Sequence, residues 1–248
     1  MTAILVTGGS GTLGRQLVPM LRERGHDVRV LSRRPGAGSH VADLVTASGL
    51  ADAVAGMEVV VHAASDTRRF GRTDLAQTRN LLRSLGQVRH LVYISIVGID
   101  QIPLGYYQRK LACEREIETS GVPHTILRAT QFHELMARPL QAAERLPVAP
   151  LPLRFRFQPV AAADVASRIA ELVEAQPAGR VPDFGGPEVL TLGDMARTWR
   201  QARGRPRAYW PLPVPGRVGH AFRAGLNTCP EHRAGTQRWA AFVGTVPS

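Results

Sequence analysis

The chain has 248 residues, 44% of them hydrophobic, with 31 basic and 20 acidic side chains and a formal charge of +11. That length buries a full α/β core, and no apolar run reaches the ~20 residues of a membrane-spanning helix. The arginines are dispersed, no zinc-finger or RNA-motif signature occurs, and the distant cysteines Cys113 and Cys229 form no CxxC pair, which argues against specific nucleic-acid binding, a disulfide framework and a thiolate metal site.

The first residues, MTAILVTGG, carry no basic n-region or cleavage site, and with the reduced-thiol reading of the cysteines they predict a cytoplasmic protein. AILVT (3–7) reads as a buried strand, and TLGRQLVPMLRERG as a helix with Leu13, Leu17 and Leu21 on one face, a left-handed stop at Gly25 and a proline at position 19 that works against a straight helix. DVRVLS (27–32) is the second strand, HVADL (40–44) a short third, MEVVVHAA (57–64) the fourth, HLVYIS (90–95) the fifth and HTILRAT (124–130) the sixth. Helical stretches DLAQTRNLLRSLG and YYQRKLACEREIETSG lie between them. Strand and helix alternate, the pattern of a parallel sheet covered on both faces.

After residue 131 the texture changes. A helix near 131–145, a proline-rich LPVAPLPLRFRFQPV, a helix in AAADVASRIAELVEA capped by Asp164 or a neighbour, a strand and turn in GRVPDFGGPEVL, a helix in LGDMARTWRQARG and a second proline-rich WPLPVPG follow. Trp199, Trp210 and Trp239 all fall here. Core packing of a small subdomain is expected for most of them, a substrate pocket being the other role.

VTGGSGTLG places glycines at 8, 11 and 14 between a strand and a helix. That context asks for a tight turn, close approach of backbone to a pyrophosphate, and tight helix–strand packing, with the helix N-terminus aimed at the phosphates. The end of the second strand reads Ser32-Arg33-Arg34, without the acid that would hold the ribose hydroxyls of NAD. Arginine there suits a 2′-phosphate, which puts NADP(H) ahead of NAD(H) as the cofactor.

Lys110 is the only lysine, beside 30 arginines, and it stands four residues after Tyr106. On a helix the two are neighbours, and an ammonium beside a phenol lowers its pKa and makes it a usable general acid. Ser95, at the end of the fifth strand, is a candidate to polarise the same carbonyl. No HExxH or Cys/His cluster occurs, so no metal site is expected. His133 and Glu134 are candidates for the substrate pocket, with a surface or supporting role equally open to the histidine, and Cys113 reads as packing.

The segments TGGSGTLG, SRR, ADL, VVHAAS, TRNLL, HLVYISIVG, YYQRKLACEREIETSG, HTILRATQFHE, FQPVAAADVA and GGPEVLTLGDMA resemble the short-chain dehydrogenase/reductase superfamily, specifically its atypical, NmrA-like branch. The resemblance implies that Gly8, Gly11 and Gly14 bind the pyrophosphate with Ser10, Thr12 and Leu13 completing the loop. It implies Arg33 on the 2′-phosphate assisted by Arg34, Asp43 and Leu44 beside the adenine, Ala63 and Ala64 beside the adenosine ribose, and a catalytic trio of Ser95, Tyr106 and Lys110, with Lys110 on the nicotinamide ribose. Ser95 is followed by isoleucine where many catalytic relatives have a second serine, and atypical members often lose the tyrosine and act as cofactor sensors.

The expectation is therefore an α/β, Rossmann-type doubly wound parallel sheet with a small, mostly helical C-terminal substrate cap. Residues 1–130 form the core, and 131–248 the remaining sheet elements and the cap of one integrated domain. The expected activity is NADP(H)-dependent hydride transfer to or from a small organic carbonyl, quinone or activated alkene. The alternatives are a non-catalytic NADP(H) sensor or regulatory protein, and an epimerase or dehydratase using tightly held oxidised cofactor. The expected partner is a small-molecule substrate, with no specific nucleic acid or membrane, in a monomer or homodimer.

Overall fold

A computed structural model describes residues 1–36, 38–205 and 208–246. In chain order its elements are β1 (Ala3–Thr7), α1 (Thr12–Glu23), β2 (Asp27–Ser32), β3 (Ser39–Val41), α2 (Leu50–Val54), β4 (Val59–His62), α3 (Asp74–Ser84), β5 (His90–Ile96), α4 (Gly105–Thr119) and β6 (His124–Ala129). Then come α5 (His133–Ala143), β7 (Val148–Leu151), β8 (Arg156–Phe157), α6 (Ala162–Glu174), β9 (Gly179–Arg180), β10 (Leu190–Thr191), α7 (Leu192–Arg203), β11 (Ala208–Pro211), α8 (Gly216–Ala224) and α9 (Trp239–Thr245). They divide into two compact units.

The first unit comprises Met1–Ser95, Gly105–Arg128 and Val165–Pro182. Its seven-stranded sheet has the order β3-β2-β1-β4-β5-β6-β9, parallel in every described register. The order reverses between β1 and β4, so their carboxyl ends open the crevice where ligands of such sheets bind. Alternation along each strand sends side chains to both faces. Leu5, Val60, Leu91, Tyr93 and Ile126 pack with Leu81 and Leu85 of α3 and Cys113 and Ile117 of α4. The opposite face, with Ile4, Val6, Val59 and Val61 fully buried, is left to α1 and α6, whose Leu17, Leu21, Ile169 and Val173 are buried as well.

Pro19 does not stop α1. The turn after the helix is the expected one: the chain leaves through Gly25 at φ 81°, a left-handed residue only glycine adopts freely. The third and fourth strands are shorter than the apolar runs suggest. Ser39–Val41 ends where the Asp43 carboxylate accepts the Val45 N–H at 2.7 Å and turns the chain. Val59–His62 is bounded by a turn at Met57 and by Ala63, where the backbone bends towards Thr7.

The second unit comprises Ile96–Leu104, Ala129–Asp164 and Asp183–Ser248. Besides α5 and α7–α9 it holds two small sheets, antiparallel β8–β10 and parallel β7–β11. Thr191 and Asp194 form a capping box at the start of α7. Trp199 and Trp239 are fully buried and stacked with centroids 6.2 Å apart, their indole N–H groups donating to Glu144 and to the Met195 carbonyl. Trp210, by contrast, is 67% exposed. Asp164 lies in the first turn of α6, but its carboxylate accepts from the Thr236 N–H and hydroxyl and from the Gln237 N–H. It ties down the later segment instead of capping its own helix.

Candidate active site and nucleotide cradle

The loop after β1 is shaped by close backbone approach. Gly8 has φ 73°, and a Cβ there would sit 2.7–2.8 Å from backbone atoms of Ala63 and Ala64. A Cβ on Gly14 would collide with Gly8 O and with the Gly9 backbone, while one on Gly11 would meet only Gly8 O at 3.2 Å. The first and third glycines are thus fixed by packing, and the second lies open on the exposed side. Gly11 is the N-cap of α1 with no capping side chain and no acid in the first turn. The backbone N–H groups at that helix start have no carboxylate competing for them, the donor set an anionic pyrophosphate needs. Ser10 is exposed, Thr12 half-buried and Leu13 buried.

The rest of the predicted nucleotide set lies on the same sheet edge. Ala63 N–H donates to Thr7 O and Ala64 N–H to Thr7 Oγ1, so the end of β4 is tied to the end of β1. Arg33 and Arg34 follow β2, exposed, and neither guanidinium forms an ion pair among the described residues. Asp43 and Leu44 follow β3. Leu44 is buried, and its carbonyl is held by the Asn80 side chain at 3.0 Å. The glycine cradle, the uncapped helix start and two uncommitted guanidinium groups therefore fit a dinucleotide.

Beneath the cradle runs a buried polar chain that sequence reasoning did not single out. Thr7 Oγ1 lies 2.8 Å from His62 Nδ1, and His62 Nε2 lies 3.3 Å from Thr78 Oγ1. Burial, helped by the Lys110 charge, pushes the His62 pKa down to about 3, so the imidazole is neutral throughout the physiological range.

The predicted trio is arranged differently from the expectation. Ser95, 3% exposed at the end of β5, has an Oγ without a hydrogen-bond partner. Orphaned buried hydroxyls are rare, and this one fits contact with a ligand. Lys110 is buried, and its Nζ donates to Ile94 O at 3.0 Å and lies 4.2 Å from the centre of the Tyr93 ring. The two side chains start as neighbours on α4, yet the ammonium is turned to the sheet. The Tyr106 hydroxyl pairs with Ser65 Oγ at 3.1 Å, and Ser65 donates to Asp74 Oδ2 at 2.6 Å.

The expected electrostatics are therefore corrected. Burial raises the Tyr106 pKa above its usual value, Asp74 and Cys113 push the same way, and the Ser65 hydrogen bond opposes them. Burial lowers the Lys110 pKa, against the attraction of Asp74, Cys113 and Glu114. Cys113 is fully buried with its thiol pKa raised by burial, consistent with packing.

Ser65 and Asp74 are candidate site residues that the sequence reading missed, joined to the Tyr106 hydroxyl by hydrogen bonds. Asp74, 3% exposed, opens α3 and also accepts the Asp66 N–H at 2.7 Å. Asp66 in turn accepts from Thr73 and Arg69, bracing the loop between β4 and α3. Gly71, at φ 72°, lets this loop lie on the Tyr106 ring, since a Cβ there would come 2.8 Å from Cδ2. The available signal was the cluster of polar residues and glycine in SDTRRFGRTD, directly past a strand end on the ligand edge.

In the second unit, His133 is fully buried against Trp239 and Phe242, 5.8 and 4.9 Å between centroids. Of the roles considered for it, the surface one is thereby removed. Glu134 is half-buried, with burial raising its pKa.

A family model described as NAD(P)H-binding matches residues 8–176, and the chain belongs to that family, the NmrA-like, atypical short-chain dehydrogenase/reductase type that the sequence resembles. The human epimerase family protein SDR39U1 is 28% identical over 153 residues, 58% of this chain and 49% of that protein. The 3-beta-hydroxysteroid dehydrogenase of Mycolicibacterium neoaurum is 41% identical over 69 residues, 25% of this chain and 19% of that protein. The chain thus spans about half the length, or less, of these curated relatives. Among solved structures, the NADPH-dependent quinone oxidoreductase QOR2 of Escherichia coli, complexed with NADPH, is similar with a TM-score of 0.80 at 21% identity, over 97% of this chain and 98% of that one. A nucleoside-diphosphate-sugar epimerase from Staphylococcus aureus has a TM-score of 0.80 at 16% identity, over 98% and 99%. At these identities the likeness establishes the fold. Among the described residues, no helix is long and apolar enough to cross a membrane.

Proposed function

We propose that this chain is an NADP(H)-dependent oxidoreductase acting on a small quinone or organic carbonyl. When bound, the reduced nicotinamide supplies the hydride. Gly8, Gly11 and Gly14, with Ser10, Thr12 and Leu13, hold the pyrophosphate; Arg33 and Arg34 take the 2′-phosphate; Asp43, Leu44, Ala63 and Ala64 border the adenosine. The orphaned Ser95 hydroxyl donates to the substrate oxygen. Lys110, anchored on the Ile94 carbonyl, keeps further N–H donors for a ribose hydroxyl. Tyr106 supplies the proton as negative charge builds on that oxygen.

The observation that carries the reading is the Tyr106 hydroxyl, half-buried at the ligand edge and held in a hydrogen-bonded chain. A protein that only senses its cofactor has no chemical use for it. The NADPH-dependent quinone oxidoreductase among the structural neighbours supports quinones as the first substrates to try.

The test combines calorimetric titration with NADP+, NADPH, NAD+ and NADH and a quinone and carbonyl panel followed by NADPH oxidation. NADPH is expected to bind at least about tenfold tighter than NADH, a difference that the double variant Arg33→Ala/Arg34→Ala erases, since each charge-assisted hydrogen bond contributes about 1.5–3 kcal/mol and exposure favours the lower figure. Tyr106→Phe is expected to bind NADPH normally and to lose turnover. Tight NADP(H) binding without turnover of any panel member would make the chain a sensor, and tighter binding of NADH would overturn the arginine assignment.

A further inference from the structure

We propose that Ser65 and Asp74 are positioning residues that set the proton of Tyr106 and stabilise the phenolate it leaves, the task that the sequence alone gives to Lys110. The inference rests on the reading of Tyr106 as the proton donor.

The hydrogen inventory decides the direction of each bond. A serine hydroxyl has one hydrogen, and in Ser65 it goes to the Asp74 carboxylate at 2.6 Å, a short charge-assisted bond. Ser65 Oγ can then only accept from Tyr106 across their 3.1 Å separation. The phenol is therefore held protonated, its oxygen fixed by a partner that a carboxylate holds in place. Asp74 is held in turn by the Asp66 N–H, and Gly71 sets the loop against the phenol ring. None of these contacts involves Lys110, whose ammonium donates to Ile94 O.

The same three atoms serve the step itself. Hydride addition leaves an electron pair on the substrate oxygen; the Tyr106 O–H bond breaks and a new O–H bond forms there. The phenolate that remains lies 3.1 Å from Ser65 Oγ. Rotation of one hydroxyl hydrogen, from Asp74 to the phenolate, supplies a donor to the new charge. Asp74 keeps the Asp66 N–H during the exchange, so its carboxylate is not stripped of partners. Water returns the proton to Tyr106 after product leaves. The charged and titratable groups acting on the phenol are Asp74 from α3 and Cys113 from α4. Both disfavour phenolate, and the Ser65 hydroxyl, once its hydrogen has turned from Asp74 to the phenolate, alone favours it.

The test reads the phenol directly and needs no turnover. A difluorotyrosine in place of Tyr106, whose phenol ionises nearer neutral pH, is titrated by fluorine NMR in the full chain, alone and with Ser65→Ala, Ser65→Thr or Asp74→Asn. Ser65→Ala is expected to raise the titration midpoint, because the one favourable hydrogen bond is gone. Asp74→Asn is expected to lower it, because a negative charge is removed and the serine hydrogen is freed. Ser65→Thr is expected to stay near the parent. Opposite signs are the signature, since a pair that only held the loop together would give none. Midpoints that stay put, or that move in the same direction, would overturn the proposal. In the unlabelled protein, Ser65→Ala is expected to lower kcat about tenfold with KM unchanged, the size of one lost hydrogen bond, with recovery in Ser65→Thr; full kcat in Ser65→Ala would also overturn it. If the parent turns over nothing while the midpoints still move in opposite directions, the oxidoreductase reading fails and the assignment of Ser65 and Asp74 to the phenol stands.

Discussion

Arg128 on β6 and Glu114 on α4, one turn beyond Lys110, meet as a fork: Nε lies 2.9 and 3.2 Å from the two carboxylate oxygens and Nη2 lies 2.6 Å from Oε2. Their side chains are 4% and 2% exposed. Arg128→Met leaves that carboxylate in the core without its fork. Truncating one side of such a pair costs about 3–5 kcal/mol. Against a total stability of about 5–15 kcal/mol, the variant is expected to melt about 6–20 °C lower at pH 7. The double variant Arg128→Met/Glu114→Leu, which removes both charges, is expected to regain most of the loss. Far-ultraviolet circular dichroism during urea and thermal unfolding at pH 7 measures this. A loss below about 1 kcal/mol in Arg128→Met, or a double variant no better than the single, would refute the claim that this ion pair fastens α4, and with it Tyr106, to the sheet.

Gly14→Ala puts a methyl group against backbone atoms of Gly8 and Gly9 that cannot move aside as a flexible side chain would. NADPH binding is expected to weaken at least about tenfold while circular dichroism stays close to the parent, and unchanged affinity by calorimetry would show that the cradle is looser than its geometry. His62 gives an acid prediction with a definite sign. Its folded pKa of about 3 lies below the ordinary 6.5, so the unfolded chain binds the proton first. The stability associated with a neutral His62 is complete above about pH 6.5 and is lost as pH falls towards 3, by at most about 1.4 kcal/mol per unit. His62→Gln should flatten that part of the urea-unfolding profile; superimposable acid profiles would contradict the assignment.

Much of the fold was legible because its signals are local. The apolar run Ala3–Thr7, the glycines after it and the amphipathic helix that follows lie within 23 residues, and each obeys a short-range rule of strand burial, backbone clearance or helical spacing. The run MEVVVHAA was read two residues too long at each end, because hydrophobicity does not mark where a backbone stops pairing. The helix continues through Pro19, because propensity yields to packing when a helix has Leu13, Leu17 and Leu21 to bury.

The candidate site divides in the same way. The sequence by itself determined that glycines stand between the first strand and the first helix, that no acid follows β2, and that Tyr106 and Lys110 share a helix four residues apart. Spacing on a helix fixes where two Cβ atoms sit, but not where long side chains end. The Tyr106 hydroxyl finds Ser65 across 41 residues of chain and the Lys110 ammonium finds Ile94 across 16. Only the tertiary structure decided those pairings, because a buried hydroxyl or ammonium must take whatever polar partner the packed sheet and loops bring within hydrogen-bond reach.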